Sequence, residues 1–141
     1  MHSALIAGSG LRASRLSFGT ASLHHLAESR QRSRLIAAAL DAGFTHFDTA
    51  PYYGFGFAEA ELGRHLPKAS PTVTVASKIG LYPRYELPPS TAVAWTIKAL
   101  GKLVPGIASP VVDWSLDRCD RSLERSLMLL RRDCLDILFL H

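Results

Sequence analysis

The sequence predicts an α/β fold of about four parallel strands with flanking helices. Two observations lead to this prediction. Segments of strand composition alternate with segments of helical periodicity, and most of the connections between them are short. The strand segments are also apolar on both faces, as expected for a parallel sheet that helices cover on both sides.

Short apolar runs and one helical stripe predict the first two strands and the helix between them. The run RLSFG at residues 15–19 predicts a strand that stops at a turn. In the segment at residues 30–44 the apolar side chains share one helical face, and Gly43 stands where a C-terminal cap belongs. The run THFDTA at residues 45–50 then predicts a second strand that reaches Asp48.

The remaining elements continue the alternation. Residues 58–66 predict a short helix with acidic residues in its first turn, and TVTVASK at residues 72–78 is the clearest strand because it is β-branched. Residues 80–114 predict a long loop after the third strand, containing a short amphipathic helix. A strong helix at residues 114–132 precedes a final apolar strand at residues 134–141. The predicted buried stripe of that strong helix consists of Leu116, Cys119, Leu123, Leu127 and Leu130.

Composition narrows the classes of function. Hydrophobic residues make up 48% of the chain, which supports a packed core. The net charge is +4, but the basic residues are scattered rather than gathered beside aromatic platforms, so we expect no nucleic-acid partner. No apolar run approaches the ~20 residues that span a bilayer and the start does not resemble a signal peptide, so we expect no membrane contact and a cytoplasmic location. Cys119 and Cys134 alone indicate neither a disulfide framework nor a metal site.

A glycine-rich stretch near the start imitates a nucleotide-binding motif. Gly8, Gly10 and Ala13 match the pattern G-x-G-x-x-A, and Glu28 lies 20 residues after Gly8. A Rossmann fingerprint also requires a strand before it and a helix that opens on it, and the sequence predicts neither. We therefore expect a turn between two short strands, with a Rossmann-type domain as the alternative.

Ionisable residues stand at the ends of the predicted strands. Asp48 ends the second strand, Lys78 the third and His141 the fourth, and Tyr53 lies just beyond the second. In a (β/α) barrel the carboxyl ends of the strands share one face, so these four side chains should surround one pocket.

These four residue types together suit proton transfer to or from an oxygen. A lysine ammonium favours a phenolate, a carboxylate holds the lysine, and a neutral histidine can orient a carbonyl oxygen. Reduction of a carbonyl by a nicotinamide hydride is such a reaction. Taken singly, each residue has a structural alternative, with Asp48 as a turn cap, Tyr53 as a half-buried aromatic, and Lys78 and His141 as surface residues.

Three stretches carry a resemblance to a known family, namely GFTHFDTAPYYGFGFAEAELG, VASKIG and LDRCDRSLERSLMLLRRDCLDILFLH. Across about residues 15–141 they resemble the first half of the aldo-keto reductase family, and its bacterial aldose (sugar) dehydrogenase branch most of all. The resemblance implies the first half of a (β/α)8 TIM barrel and a catalytic tetrad of Asp48, Tyr53, Lys78 and His141. Tyr53 would be the general acid or base, with Asp48 holding Lys78 and His141 orienting the substrate oxygen. It also implies NADP or NAD as the cofactor, approached at the nicotinamide by Gly19, Thr20 and Ala21.

The predicted function is therefore that of an NAD(P)-dependent oxidoreductase that interconverts the carbonyl of an aldehyde or sugar with an alcohol or lactone. A complete barrel typically needs about 250 residues. We therefore expect residues 1–141 to form a single incomplete, truncated barrel domain that lacks most of the cofactor site. The terminal carboxylate of His141 is expected to raise the pKa of its imidazole.

An alternative reading is a non-catalytic half-barrel or an assembly module. Open strand edges invite pairing, so we expect the chain to form a homodimer or to need a complementing half-barrel. Within either reading, residues 80–114 are the candidate for substrate selectivity, and Trp95 is expected to be a core contact or to line a pocket.

Overall fold

The computed structural model describes residues 2–67, 72–104 and 106–141. Its strands are β1 (Ser3–Leu5), β2 (Arg12–Ser14), β3 (Phe18–Gly19), β4 (His46–Asp48), β5 (Thr74–Ile79), β6 (Leu81–Tyr82), β7 (Val111–Val112) and β8 (Ile137–Leu140). Its α-helices are α1 (Ser29–Asp41), α2 (Phe57–His65), α3 (Thr91–Gly101) and α4 (Leu116–Leu130), and a short 3-10 helix spans Leu23–His25. None of the helices in these described ranges is long and apolar enough to cross a membrane.

The central sheet has four strands in the order β3-β4-β5-β8, and every neighbouring pair is parallel. The predicted parallel arrangement of about four strands is therefore confirmed. Each crossover carries a helix, as parallel pairing requires. Because all four strands run in the same direction, their carboxyl ends lie at one edge of the sheet.

The core lies between this sheet and the helices. Phe47 of β4 and Val75 of β5 are fully buried at its centre. Around them pack buried residues of the 3-10 helix, α1, α2, the β5 entry and α4, namely Leu23, Ile36, Ala39, Leu62, Leu66, Val73 and Leu130. The predicted helical stripe of α1 is buried at Ile36 and Ala39 and half-buried at Leu40, but the prediction is wrong at Leu35, which is 40% exposed. The predicted cap at Gly43 is confirmed, since Gly43 adopts φ 86° two residues after the last residue of the helix.

Helices α2 and α4 approach each other very closely at Gly63. A Cβ atom placed on Gly63 would lie 2.1 Å from the carbonyl oxygen of Leu129. At this spacing small side chains of α4 fit the buried face, and Ser122 and Ser126 are buried there. The predicted leucine stripe is therefore wrong at its start, where Leu116 is 81% exposed. Cys119, Leu123 and Leu127 are half-buried, and Leu130 is buried as predicted.

The glycine-rich stretch near the start forms a turn, as predicted from the lack of a strand before it and a helix after it. Strands β1 and β2 pair antiparallel, and Gly8 and Gly10 between them adopt φ 78° and 71°. A Rossmann fingerprint would open a helix at this point, and β2 stands there instead. The Rossmann alternative is wrong.

The two ends of the long segment after β5 pair with each other, which the sequence does not predict. Strands β6 and β7 pair antiparallel and bring its two ends together, with α3 between them. Ser90 caps α3 by accepting a hydrogen bond from the Val93 amide at 3.1 Å. Two-residue strands carry no periodicity, so their pairing could not be predicted.

Replacing Gly63 with alanine should destabilise the protein by about 2 kcal/mol or more, because the added methyl group must push α2 away from the α4 backbone. Chemical denaturation measures the change in the free energy of unfolding. Gly19→Ala is the matched control, since a Cβ atom there meets nothing within 4 Å. An equal loss in the free energy of unfolding for the two variants would show that the close contact at Gly63 does not govern stability.

Candidate active site

The sheet brings all four predicted site residues to its carboxyl edge. Asp48 is the last residue of β4, Lys78 is the next-to-last residue of β5, and His141 directly follows β8. The amide of His141 donates to the Ile79 carbonyl at 2.9 Å, which extends the pairing of β8 by one residue. Tyr53 lies in the turn between β4 and α2.

Lys78 is held by three acceptors. Its Nζ atom lies 2.8 Å from both carboxylate oxygens of Asp48 and 2.8 Å from the carbonyl oxygen of Thr49. An ammonium has three N–H donors, so these contacts account for all of them. Both side chains are largely shielded from solvent, which strengthens the ion pair relative to one at the surface.

Tyr53 lies between Lys78 and His141. The Nζ atom of Lys78 lies 4.7 Å from the centre of the Tyr53 ring, and the His141 ring meets it edge-on at a centroid distance of 5.8 Å. The Lys78 ammonium therefore faces the aromatic ring of Tyr53, while its hydrogen bonds go to Asp48 and Thr49. Among the residues that the structure describes, none hydrogen-bonds to the Tyr53 hydroxyl, which leaves this group available to a ligand.

A left-handed turn presents Tyr53 at the edge. Gly54, Phe55 and Gly56 adopt φ angles of 61°, 61° and 88°, and the Ala58 amide donates to the Tyr53 carbonyl at 3.2 Å. Positive φ is costly for phenylalanine. Burial against Ala94 and Ile97 of α3 offsets that cost. Packing against α3 thus stabilises the conformation of this turn.

Desolvation and the nearby ammonium favour the neutral form of the His141 imidazole. Its pKa lies below the usual range because burial disfavours the imidazolium and because the Lys78 ammonium repels it, while Asp48 acts in the opposite direction. The predicted rise in the pKa of His141 is therefore wrong, because desolvation of the imidazole lowers this pKa and is the largest effect. A neutral imidazole at this position can donate or accept one hydrogen bond.

The end of β3 contributes an open backbone surface next to Asp48. Gly19 is exposed and has no atom within 4 Å of the position that a Cβ would take, so a planar ring can approach its backbone. Thr20 is buried, and its hydroxyl and amide donate to the Asp48 carbonyl at 2.9 Å and 3.0 Å. Ala21 is exposed. Gly19 and Ala21 thus leave an exposed backbone at the end of β3, whereas Thr20 binds the Asp48 carbonyl.

A cavity of about 290 Å³ opens beside Tyr53. Its wall consists of Ala21, His24, Tyr52, Tyr53, Gly54, Phe55, Lys98 and Ala108. The hydroxyl of Tyr52 donates to the Ala108 carbonyl at 2.7 Å, so this second tyrosine is already bound to the protein. In the described part of the chain, no group of three or more His, Cys, Asp and Glu side chains is arranged to hold a metal ion.

Sequence reasoning missed Glu59, which is fully buried behind the site. Its Oε1 atom accepts a hydrogen bond from the Ser77 hydroxyl at 2.7 Å. Burial raises its pKa to about 7, against the opposing effects of Ser77, Ser126, Arg125 and Lys78. Glu59 lies in the first turn of α2, as predicted, but the preference of acidic residues for that turn does not reveal its burial. Its spacing of three and four residues from Leu62 and Gly63 was the available signal, because it places Glu59 on the buried face.

Comparison with known proteins gives a consistent result. Residues 15–141 match the sequence model described as the "Aldo/keto reductase family". The chain is 36% identical over 90 residues to a D-threo-aldose 1-dehydrogenase from Pseudomonas sp, covering 60% of this chain and 27% of that protein. It is 35% identical over 74 residues to a pyridoxal 4-dehydrogenase from Microbacterium luteolum, covering 50% and 22% respectively.

Solved structures extend the comparison to the fold. The glycerol dehydrogenase from Gluconobacter oxydans superposes with a TM-score of 0.74 at 28% identity, covering 99% of this chain and 38% of that one. The chain therefore spans about a quarter of the curated relatives and less than half of this solved structure. The predicted part of a (β/α)8 barrel and the predicted family are confirmed.

Glu59→Gln should remove a pH dependence of stability. Because the pKa of Glu59 is about 7 in the folded protein against 4.5 as the ordinary value, the folded state binds more protons between these values. The wild-type protein should therefore lose stability, relative to the variant, as the pH rises from 4.5 to 7, and no further above that. Denaturation of both proteins at pH 5 and pH 7.5 measures the difference. The same comparison at the exposed residue Glu124, between the wild-type protein and Glu124→Gln, is the control. If the stability difference between the wild-type protein and Glu59→Gln did not change with pH, the raised pKa of Glu59 would be contradicted.

Proposed function

This chain belongs to the aldo/keto reductase family, and we propose that it carries the proton-transfer residues of an NAD(P)-dependent oxidoreductase. The reaction is the interconversion of the carbonyl of an aldehyde or sugar with an alcohol or lactone. One observation carries the proposal, namely that Lys78 is fixed between the Asp48 carboxylate and the Tyr53 ring at the carboxyl edge of the sheet. The names of the aldose and pyridoxal dehydrogenase relatives support this class of substrate.

Tyr53 is the general acid in the direction of reduction. Its hydroxyl, which has no hydrogen-bond partner among the described residues, gives its proton to the carbonyl oxygen of the substrate. The Lys78 ammonium, 4.7 Å from the ring centre, stabilises the phenolate that remains. A positioned acid of this kind contributes about 10²–10⁴-fold to the rate. In oxidation the same phenolate accepts the proton of the alcohol.

Asp48 and His141 prepare this proton transfer. Asp48 and the Thr49 carbonyl fix the Lys78 ammonium, so its charge does not need to reorganise during the reaction. The neutral imidazole of His141, against the edge of the Tyr53 ring, donates a hydrogen bond to the substrate oxygen and orients it.

Gly19, Thr20 and Ala21 form the part of the cofactor site that this chain supplies. The exposed backbone of Gly19 and Ala21 would hold the nicotinamide ring of NADP or NAD, and Thr20 keeps this backbone next to Asp48. The bound cofactor would supply a hydride to the carbonyl carbon in reduction, or accept one from the hydroxyl-bearing carbon in oxidation.

A second candidate function is a half-barrel that acts only with a partner, either a second copy or a complementing chain. The edge strand β8 favours it, because Phe139 and Leu140 are 45% and 76% exposed and β8 pairs, among the described strands, with β5 alone. A strand edge of this kind is a template for pairing with another chain. The proton-transfer residues keep their roles in this candidate.

Tyr53→Phe should lower the rate of NADPH- or NADH-dependent aldehyde reduction by at least about a hundredfold, because the acid is removed while the ring remains. The assay follows cofactor absorbance with a generic aldehyde. Tyr52→Phe is the matched control, since its hydroxyl is bound to Ala108, and its activity should stay within a few fold. Activity that survives Tyr53→Phe would exclude Tyr53 as the acid.

Gly19→Val should weaken cofactor binding without unfolding the protein, because the branched side chain fills the space that the ring needs. A fluorescence titration with NADPH and with NADH measures the dissociation constant, which should rise about tenfold or more. Unchanged binding by the variant would contradict the cofactor role of Gly19. Binding by the wild-type chain that requires a complementing half-barrel would favour the second candidate function.

A further inference from the structure

A lysine side chain that has no role in the proposed reaction lines the cavity beside Tyr53. Lys98 of α3 lines this cavity together with Tyr53. The charge of Lys78, by contrast, is balanced by Asp48. No salt bridge to Lys98 occurs among the residues that the structure describes. An unbalanced positive charge therefore faces the space next to the proposed acid.

His24 holds the Lys98 ammonium in place. Its side chain is buried at 5% exposure, and its Nε2 atom contacts the Nζ atom of Lys98. An ammonium only donates hydrogen bonds, so Nε2 is the acceptor and the imidazole is neutral. Burial, with the charges of Lys98 and His25, lowers the pKa of His24 to about 4, while a hydrogen bond to the Ala21 backbone opposes this shift.

The position of His24 is itself fixed by α3. The indole Nε1 of Trp95 donates to the His24 carbonyl at 3.2 Å, and Trp95 is one helical turn from Lys98 on the same face. His25 packs against the His24 ring with a centroid distance of 4.2 Å. The Lys98 ammonium is thus held by a neutral group that orients its charge without cancelling it.

We propose that the cavity beside Tyr53 selects carbonyl substrates that carry an oxyanion group, a carboxylate or a phosphate, with Lys98 as the partner of that group. This inference rests on the proposed function, since it names the substrate class for the same site. His24 is the positioning residue for Lys98. A cavity of about 290 Å³ limits these substrates to small ones, and an ammonium can donate hydrogen bonds to a carboxylate and to a phosphate alike.

Helix α3 also offers a matched control. Lys102 is exposed and lines a neighbouring cavity of about 300 Å³ with His25, Trp95 and Lys98, but it does not line the cavity that contains Tyr53. Lys98→Met and Lys102→Met remove the same charge from the same region. A general effect of net charge on anion binding would appear in both variants, whereas a specific contact would appear only in the first.

The decisive measurement is the anion preference, defined as the kcat/KM for an anionic substrate divided by the kcat/KM for its neutral analogue. The kcat/KM for 4-carboxybenzaldehyde is divided by that for 4-carbamoylbenzaldehyde, and the same is done for glyceraldehyde 3-phosphate against glyceraldehyde. Lys98→Met should lower the anion preference in at least one pair by about tenfold, and Lys102→Met should leave it unchanged. The folded fraction cancels within each pair, and the intrinsic reactivities of the two aldehydes cancel when the ratio for a variant is compared with the ratio for the wild-type protein. An unchanged preference in both pairs for Lys98→Met would overturn the proposal.

The role of His24 is tested by two substitutions that differ in one property. His24→Leu removes the acceptor for Lys98, and His24→Gln retains one. The anion preference should fall in His24→Leu toward the Lys98→Met value and should be largely rescued in His24→Gln. Equal preferences for the two variants would overturn the positioning role.

A binding measurement separates this proposal from the proposed function. In a Trp114→Phe protein, Trp95 is the sole tryptophan and reports on Lys98. Glycerol 3-phosphate or glycerate should change its fluorescence saturably, glycerol should not, and Lys98→Met should abolish the change. If no aldehyde is reduced but this binding is present, the proposed function fails and the anion site stands. If aldehydes are reduced but neither anion binds, the anion site fails alone, and the two anions distinguish a phosphate site from a carboxylate site.

Discussion

The parallel register of the central sheet is the constraint on which the site depends. Asp48 lies opposite Ala76, so Lys78 stands two residues further along β5 on the same face and beyond the end of β4. From this position its side chain can turn back to the Asp48 carboxylate and the Thr49 carbonyl. A slip of one residue would send Lys78 to the opposite face of the sheet. The ion pair is therefore a consequence of strand register, and it also penalises any other register because Asp48 would lose its partner.

Strand β5 is held by polar contacts on both of its faces. Lys78 bonds to Asp48 on the site face, and the adjacent Ser77 donates to the buried Glu59 on the helix face. A second buried contact joins α1 to α2, where Arg32 donates to Glu61. Buried polar groups of this kind stabilise a single arrangement because a displaced partner would be left unsatisfied in the core. The lysine is thus fixed through the backbone as well as through its ion pair.

Much of the site could be predicted because its residues stand at the ends of strands, where the chain direction alone gathers them. Asp48, Lys78 and His141 required only the strand boundaries and the assumption of parallel pairing. The contact between His24 and Lys98 could not be found in this way, since 74 residues separate them and neither terminates a predicted strand. The buried face of α4 was misplaced for a related reason. Its position depends on the close approach at Gly63, which is a property of two helices and not of either sequence pattern alone.

The two lysines near Tyr53 illustrate how the same charge serves different purposes. A carboxylate balances Lys78, so its field is short-ranged and acts mainly on the phenol 4.7 Å away. A neutral imidazole holds Lys98, so its full charge remains available to the cavity. Were an acid to replace His24, the charge of Lys98 would be balanced and its attraction for an anionic substrate would fall. In the proposed site, a charged partner therefore leaves Lys78 to act on proton transfer, and a neutral partner leaves Lys98 to act on the choice of substrate.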